Sequence, residues 1–62
     1  MTKPIKLQDA LIILRDVGLD AAVMTQRGIP TYIYVTKHGA VMGRPSITNG
    51  TVTKADLDKA MR

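Results

Sequence analysis

Asp20-Ala21-Ala22-Val23-Met24-Thr25-Gln26-Arg27-Gly28-Ile29-Pro30 admits two readings, and the arrangement of every other element turns on which of them holds. In the first, Asp20 is an N-cap whose carboxylate accepts hydrogen bonds from the free N–H groups of a first helical turn. A short helix over Ala21 to Gln26 then ends at Gly28, and Pro30 forbids its continuation. In the second, Ala21 to Met24 is a strand, since so short a segment makes a poor independent helix. The helix is the working expectation.

Upstream, Leu7, Ala10, Leu11, Leu14 and Val17 follow the spacing of one helical face, with Gln8, Asp9, Arg15 and Asp16 opposite. Ile12 and Ile13 widen that face. Gly18 stops the helix, whereas no good capping residue precedes Leu7. Downstream, Thr31 to Thr36 (TYIYVT) is the clearest strand, with Ile33 and Val35 on one face and Tyr32 and Tyr34 on the other. Lys37-His38-Gly39 reads as a tight turn from which Ala40 to Met42 returns antiparallel. Gly43 to Gly50 is loop-like, and Thr51-Val52 can add a short strand. Thr53, with Asp56 three residues on and Val52 and Leu57 as a hydrophobic staple, opens a closing helix whose inward face is Leu57, Ala60 and Met61. There is no internal repeat.

The chain has 62 residues, no Cys, Trp or Phe, and one His, so it reads as a single domain over 1–62 with a small core. Disulfides and thiolate metal sites are excluded, one His cannot hold zinc alone, and no cofactor is expected. The longest apolar run, Ala10 to Leu14, is too short for a membrane span, so no membrane partner is expected and the chain is read as cytoplasmic. The net charge of +4 is unevenly placed. Residues 1–20 and 56–62 are each neutral, while residues 21–55 carry Arg27, Lys37, Arg44 and Lys54, with His38, and no acid. Such a segment is what meets a polyanion or an acidic partner.

Catalysis is not expected. His38 falls in a solvated turn with no group to orient it, and the Asp residues are accounted for by caps and polar helix faces. Gly39, Gly43 and Gly50 form no phosphate-binding motif. Tyr32 and Tyr34 can stack on bases or form a protein interface if their face is open, but a core without Phe or Trp calls for their bulk beneath a helix. Met24, Met42 and Met61 are expected as core fillers.

Three short motifs point to a family. Leu7-Gln8-Asp9-Ala10-Leu11-Ile12-Ile13-Leu14, Gln26-Arg27-Gly28-Ile29-Pro30 and Thr53-Lys54-Ala55-Asp56-Leu57-Asp58-Lys59-Ala60 together resemble the small winged helix-turn-helix domains of phage and plasmid excisionases and of the MerR-like DNA-binding family. The resemblance implies an α+β fold of helix, short helix, β-hairpin wing and C-terminal helix. It also implies a basic protein that binds double-stranded DNA as an architectural factor in recombination or a transcription regulator. Thr25, Gln26 and Arg27 fall to its recognition helix, Lys37, His38 and Arg44 to the wing, and Lys54 to a phosphate contact. The chain lacks that family's Arg- or Trp-rich helix face, which shifts weight to the wing. A module this small would gain affinity by dimerising or by binding beside another DNA-bound protein.

Two other readings remain open. One is a small phage- or plasmid-type α/β interaction module, inhibitor- or antitoxin-like, with the tyrosines at the interface. The other takes Ala21–Met24 as a strand, giving an α-β-β-β-α domain like the double-stranded-RNA-binding and HicA-type folds, with His38 and the basic loop facing RNA.

Overall fold

The computed structural model describes residues 3–61; Arg62, counted above in the neutral C-terminal segment, lies outside them. The elements run β1 (Ile5–Lys6), α1 (Leu7–Asp16), β2 (Asp20–Gln26), β3 (Ile29–Lys37), β4 (Ala40–Gly43), β5 (Thr51–Val52) and α2 (Lys54–Ala60). The fold is α+β, with two helices and a three-stranded antiparallel sheet in the order β2-β3-β4, and a small β1-β5 pair beside it. No helix among the described residues is long and apolar enough to cross a membrane.

The expected second helix is a strand. Asp20 begins β2 instead of capping a helix, and Asp20 to Gln26 pairs antiparallel with β3. The reason lies at Arg27-Gly28, where both residues have positive φ, 55° and 78°. That is the backbone of a type I′ turn, whose twist matches a two-strand hairpin, so Gly28 closes a hairpin and caps no helix. Pro30 fits because it stands at an irregularity: Thr25 pairs with Pro30 and Met24 with Tyr32, leaving Thr31 as the extra residue of a bulge.

The same turn recurs twice. His38-Gly39 (φ 52° and 84°) joins β3 to β4, and Asn49-Gly50 (φ 52° and 75°) precedes β5, closed by mutual hydrogen bonds between Thr48 and Thr51 of 2.8 and 2.9 Å. Between those turns Arg44 to Thr48 continues along β3: the Ile33 N–H donates to the Pro45 carbonyl and the Ile47 N–H to the Thr31 carbonyl, both at 2.9 Å. Residues 20–52 are thus a meander returned by three X-Gly pairs.

The helix expected over Leu7 to Val17 is α1, with Val17 at its C-cap. Its end is a Schellman motif, in which Gly18 N–H reaches the Arg15 carbonyl and Leu19 N–H the Leu14 carbonyl, both at 3.0 Å, and Leu19 is buried. The closing helix is also where its cap placed it, with the Asp56 N–H donating to Thr53 Oγ1 at 3.2 Å. Val52 and Leu57 flank that cap and both are buried.

Both helices lie on one side of the sheet. Ala10 and Leu14 of α1 and Leu57 and Ala60 of α2 form one buried cluster with Leu19, Ile33, Val35 and Val52, while Met42 and Met61 pack against it as expected. The Cα extents of 31 × 29 × 16 Å are those of this two-layer slab. The sheet meets α2 closely at Gly43, where a Cβ would stand 3.0 Å from Ala60 Cα and 3.1 Å from Ala60 Cβ. We expect Gly43→Ala to destabilise the protein by about 1–3 kcal/mol through overpacking. His38→Asn, which relieves a positive-φ residue, should raise stability by up to about 1 kcal/mol. Urea unfolding of the two variants checks both signs.

Candidate functional site

Because strand side chains alternate, β3 divides its residues between two environments. Ile33 and Val35 point to the helices and are fully buried. Tyr32 and Tyr34 point the other way, where the described residues place no helix, and both are only half-buried. The expectation that a helix covers the tyrosines is therefore overturned. The core is filled without them by Leu14, Ile33, Leu57, Val35 and Val52.

The pairing registers map this outer face. On β2, Asp20 lies opposite Thr36, Ala22 opposite Tyr34, and Met24 opposite Tyr32. On the other flank Val41 lies opposite Thr36 and Ser46 opposite Tyr32. Val35 pairs with Gly43 and Tyr32 with Ser46, and continuing that register sets Arg44 opposite Tyr34. Met24 is 40% exposed and Val41 52% exposed, so Met24 is no core filler but part of this open surface. At the β2 edge, Arg15 of α1, a helix on the other side of the sheet, lines a depression with Asp20, Ala21, Ala22, Tyr34 and Thr36. The result is a sheet face with two aromatic rings in its middle strand, Arg44 beside Tyr34 on the β4 side, and Arg15 reaching the β2 edge from the helix side.

No protein-family model, curated protein or solved structure matches the chain.

The residues expected to share a DNA surface are spread over the molecule. Thr25 and Gln26 end β2, and Arg27 is in the turn that follows, at one end of the sheet. Lys37 and His38 are at the opposite end, beyond a strand of nine residues, or about 30 Å at the usual rise per residue. Arg44 belongs to the outer face beside Tyr34, and also lines a depression with Asp56 and Lys59 of α2. Lys54 is exposed at the start of α2. No salt bridge or side-chain hydrogen bond ties these cations to one another or to an acid among the described residues. His38 stands exposed on its turn. Among the described residues no three His or Asp side chains come together as metal ligands.

The face that the structure assembles had one sequence signal, the i, i+2 pair of tyrosines. What sequence reasoning missed were its neighbours: Met24 and Ala22, assigned to a helix, and Arg15, assigned to a polar helix surface. Since Tyr34 lies outside the core, Tyr34→Ser should retain the fold and lose well under half the stability lost by Ile33→Ala, which empties a fully buried site and costs about 2–5 kcal/mol. Urea unfolding of the pair distinguishes an open face from a covered one.

Proposed function

We propose that the protein is a non-catalytic binding module for single-stranded nucleic acid, held on the open face of the sheet. The observation that carries this reading is the pair Tyr32 and Tyr34, half-buried on a face where the described residues place no helix, in the middle strand of the sheet. Such rings offer flat, rigid stacking surfaces that every base can use.

Spacing favours a single strand. Residues i and i+2 of a strand stand about 7 Å apart, roughly twice the 3.4 Å rise of a stacked nucleic-acid strand. Successive bases reaching both rings must be splayed, as they are in single strands and are not inside a duplex. Arg44 and Arg15 stand at the flanks for phosphate contact, and the acid-free composition of residues 21–55 supplies the attraction at longer range. Asp20 is the one acid on this face, at its β2 corner.

This is the RNA-binding α-β-β-β-α reading, with the surface moved from the basic loop to the sheet. Binding of double-stranded DNA in winged-helix manner is less well supported, because the segment meant as recognition helix is β2. It would keep only the hairpin of β3 and β4 as a wing, with Lys37 and His38 at its tip.

Fluorescence anisotropy with labelled ten-nucleotide single strands of RNA and DNA, and with a short duplex, tests the choice. We expect single strands to bind more tightly than the duplex, with affinity falling as salt rises. Tyr32→Ala and Tyr34→Ala should each weaken binding by between about five-fold and a hundred-fold, the worth of one stacked base, while Tyr34→Phe keeps most of it. No binding at low salt, or affinity indifferent to both tyrosines, would overturn the proposal; preference for the duplex would return the site to the hairpin tip.

A further inference from the structure

The two edges of the sheet are treated differently. On the β4 side the strand is only four residues long, its pairing shifts between Val35 and Thr36, and the chain then passes into Arg44-Pro45 with Pro45 buried. A short, irregular, proline-bearing edge with a helix packed on it offers little to another strand. On the β2 side the edge is seven residues long, Asp20 to Gln26, and contains no Lys, Pro or Gly. The bulge of this hairpin lies in β3, so β2 itself is regular. No described element pairs with its outer edge. Its row of backbone N–H and C=O groups is a template for one more strand.

The charges of β2 select the occupant. Asp20 stands at its start and Arg27 just past its end, so the charges borne by the hairpin itself are opposite at the two ends, with Arg15 of α1 beside Asp20. A second copy running antiparallel meets this pattern with its complement at both ends; a parallel copy sets like charge on like. Geometry narrows the register further. To keep both pairs of helices on one side of a continuous sheet, residues facing the same side must pair, so odd positions meet odd and even meet even. A two-fold axis at Val23 satisfies this and pairs all seven residues.

We propose that the protein self-associates through β2, antiparallel about Val23, to form a six-stranded sheet. On its outer face Asp20 lies opposite Gln26 of the second copy, whose amide can donate to the carboxylate, with Arg27 of that copy next to it. Ala22 lies opposite Met24 of the second copy, covering a side chain that is 40% exposed in the single chain. On the helix side Val23 meets Val23, and Ala21 meets Thr25. Ala21, Ala22 and Thr25 are small enough for the two layers to approach across the axis. The contact is isologous and closes on two copies.

Charge reversal tests this without touching the core, since Asp20 and Arg27 are both exposed. Aspartate also suits the first position of a type I′ turn, so Arg27→Asp keeps the hairpin. Sedimentation equilibrium over micromolar to millimolar protein should show a monomer–dimer equilibrium. Asp20→Arg and Arg27→Asp should each raise the dissociation constant by about ten-fold or more, because two symmetry-related contacts change at once, and the double variant should restore it to within a few-fold. In a mixed sample of labelled and unlabelled chains, intermolecular NOEs are expected between Ala22 and Met24. A monomer throughout the concentration range, or a dimer indifferent to both reversals, overturns the proposal. Neither result bears on nucleic-acid binding by the outer face.

Discussion

The register of β3 is the constraint on which the rest of the molecule depends. One strand supplies Ile33 and Val35 to the core and Tyr32 and Tyr34 to the open face, and a slip by a single residue would exchange the two sets. Burying the tyrosines in place of Ile33 and Val35 would crowd a core that has only Ala10 and Ala60 as its small members, and would expose two branched side chains to water. The register is pinned at both ends by turns of two residues, Arg27-Gly28 and His38-Gly39, which leave no slack for a shift. It is pinned again in the middle, where Ile33 and Thr31 exchange hydrogen bonds with Pro45 and Ile47.

From that alternation the two-layer architecture follows. While the outer face carries the tyrosines with Asp20 and Thr36 beside Ala22, Met24 and Val41, the helices cover the face that presents Ile33 and Val35, the two fully buried residues of β3. Each reaches it through a local device: the Schellman end of α1 delivers Leu19 into the cluster, and Gly43 lets α2 come within contact of β4. Among the described residues no further element covers the other face. The half-buried tyrosines thus lie on an open face, with Arg44 beside them and the other basic residues of the central segment at the sheet ends and on α2.

How much of this was legible in the sequence varies by element. The first helix, the strand TYIYVT, its turn at His38-Gly39 and the capped closing helix were all readable, because each carries a periodicity or a cap with one physical meaning. Asp20–Gln26 was not. Apolar–polar alternation marks a strand only when one face is wet and polar, and in β2 the outer positions Ala22 and Met24 are nearly as apolar as the inner Ala21 and Val23. Nor is Arg-Gly among the strong hairpin dipeptides, so Gly28 was read as a helix stop. The broader pattern was present: Gly28, Gly39 and Gly50 stand eleven residues apart, and each follows a residue at positive φ. The candidate site was legible only in its centre. Tyr32 and Tyr34 were visible as a pair, but their exposure depended on which layer the helices took. Of the basic residues chosen from charge alone, Arg44 lies on this face, while Arg27 and Lys37 with His38 lie at opposite ends of the sheet and Lys54 on α2.

The outer face of the β2-β3-β4 sheet is proposed above as a nucleic-acid surface. An amide chemical-shift titration of the labelled protein with a short single-stranded RNA tests it most directly, since every residue is read at once. The largest shifts are expected on Ala22, Met24, Tyr32, Tyr34 and Arg44, with α1 residues such as Asp9 and Ile13 unmoved. Shifts confined to the hairpin tips and the start of α2, or no shifts at all, would contradict it.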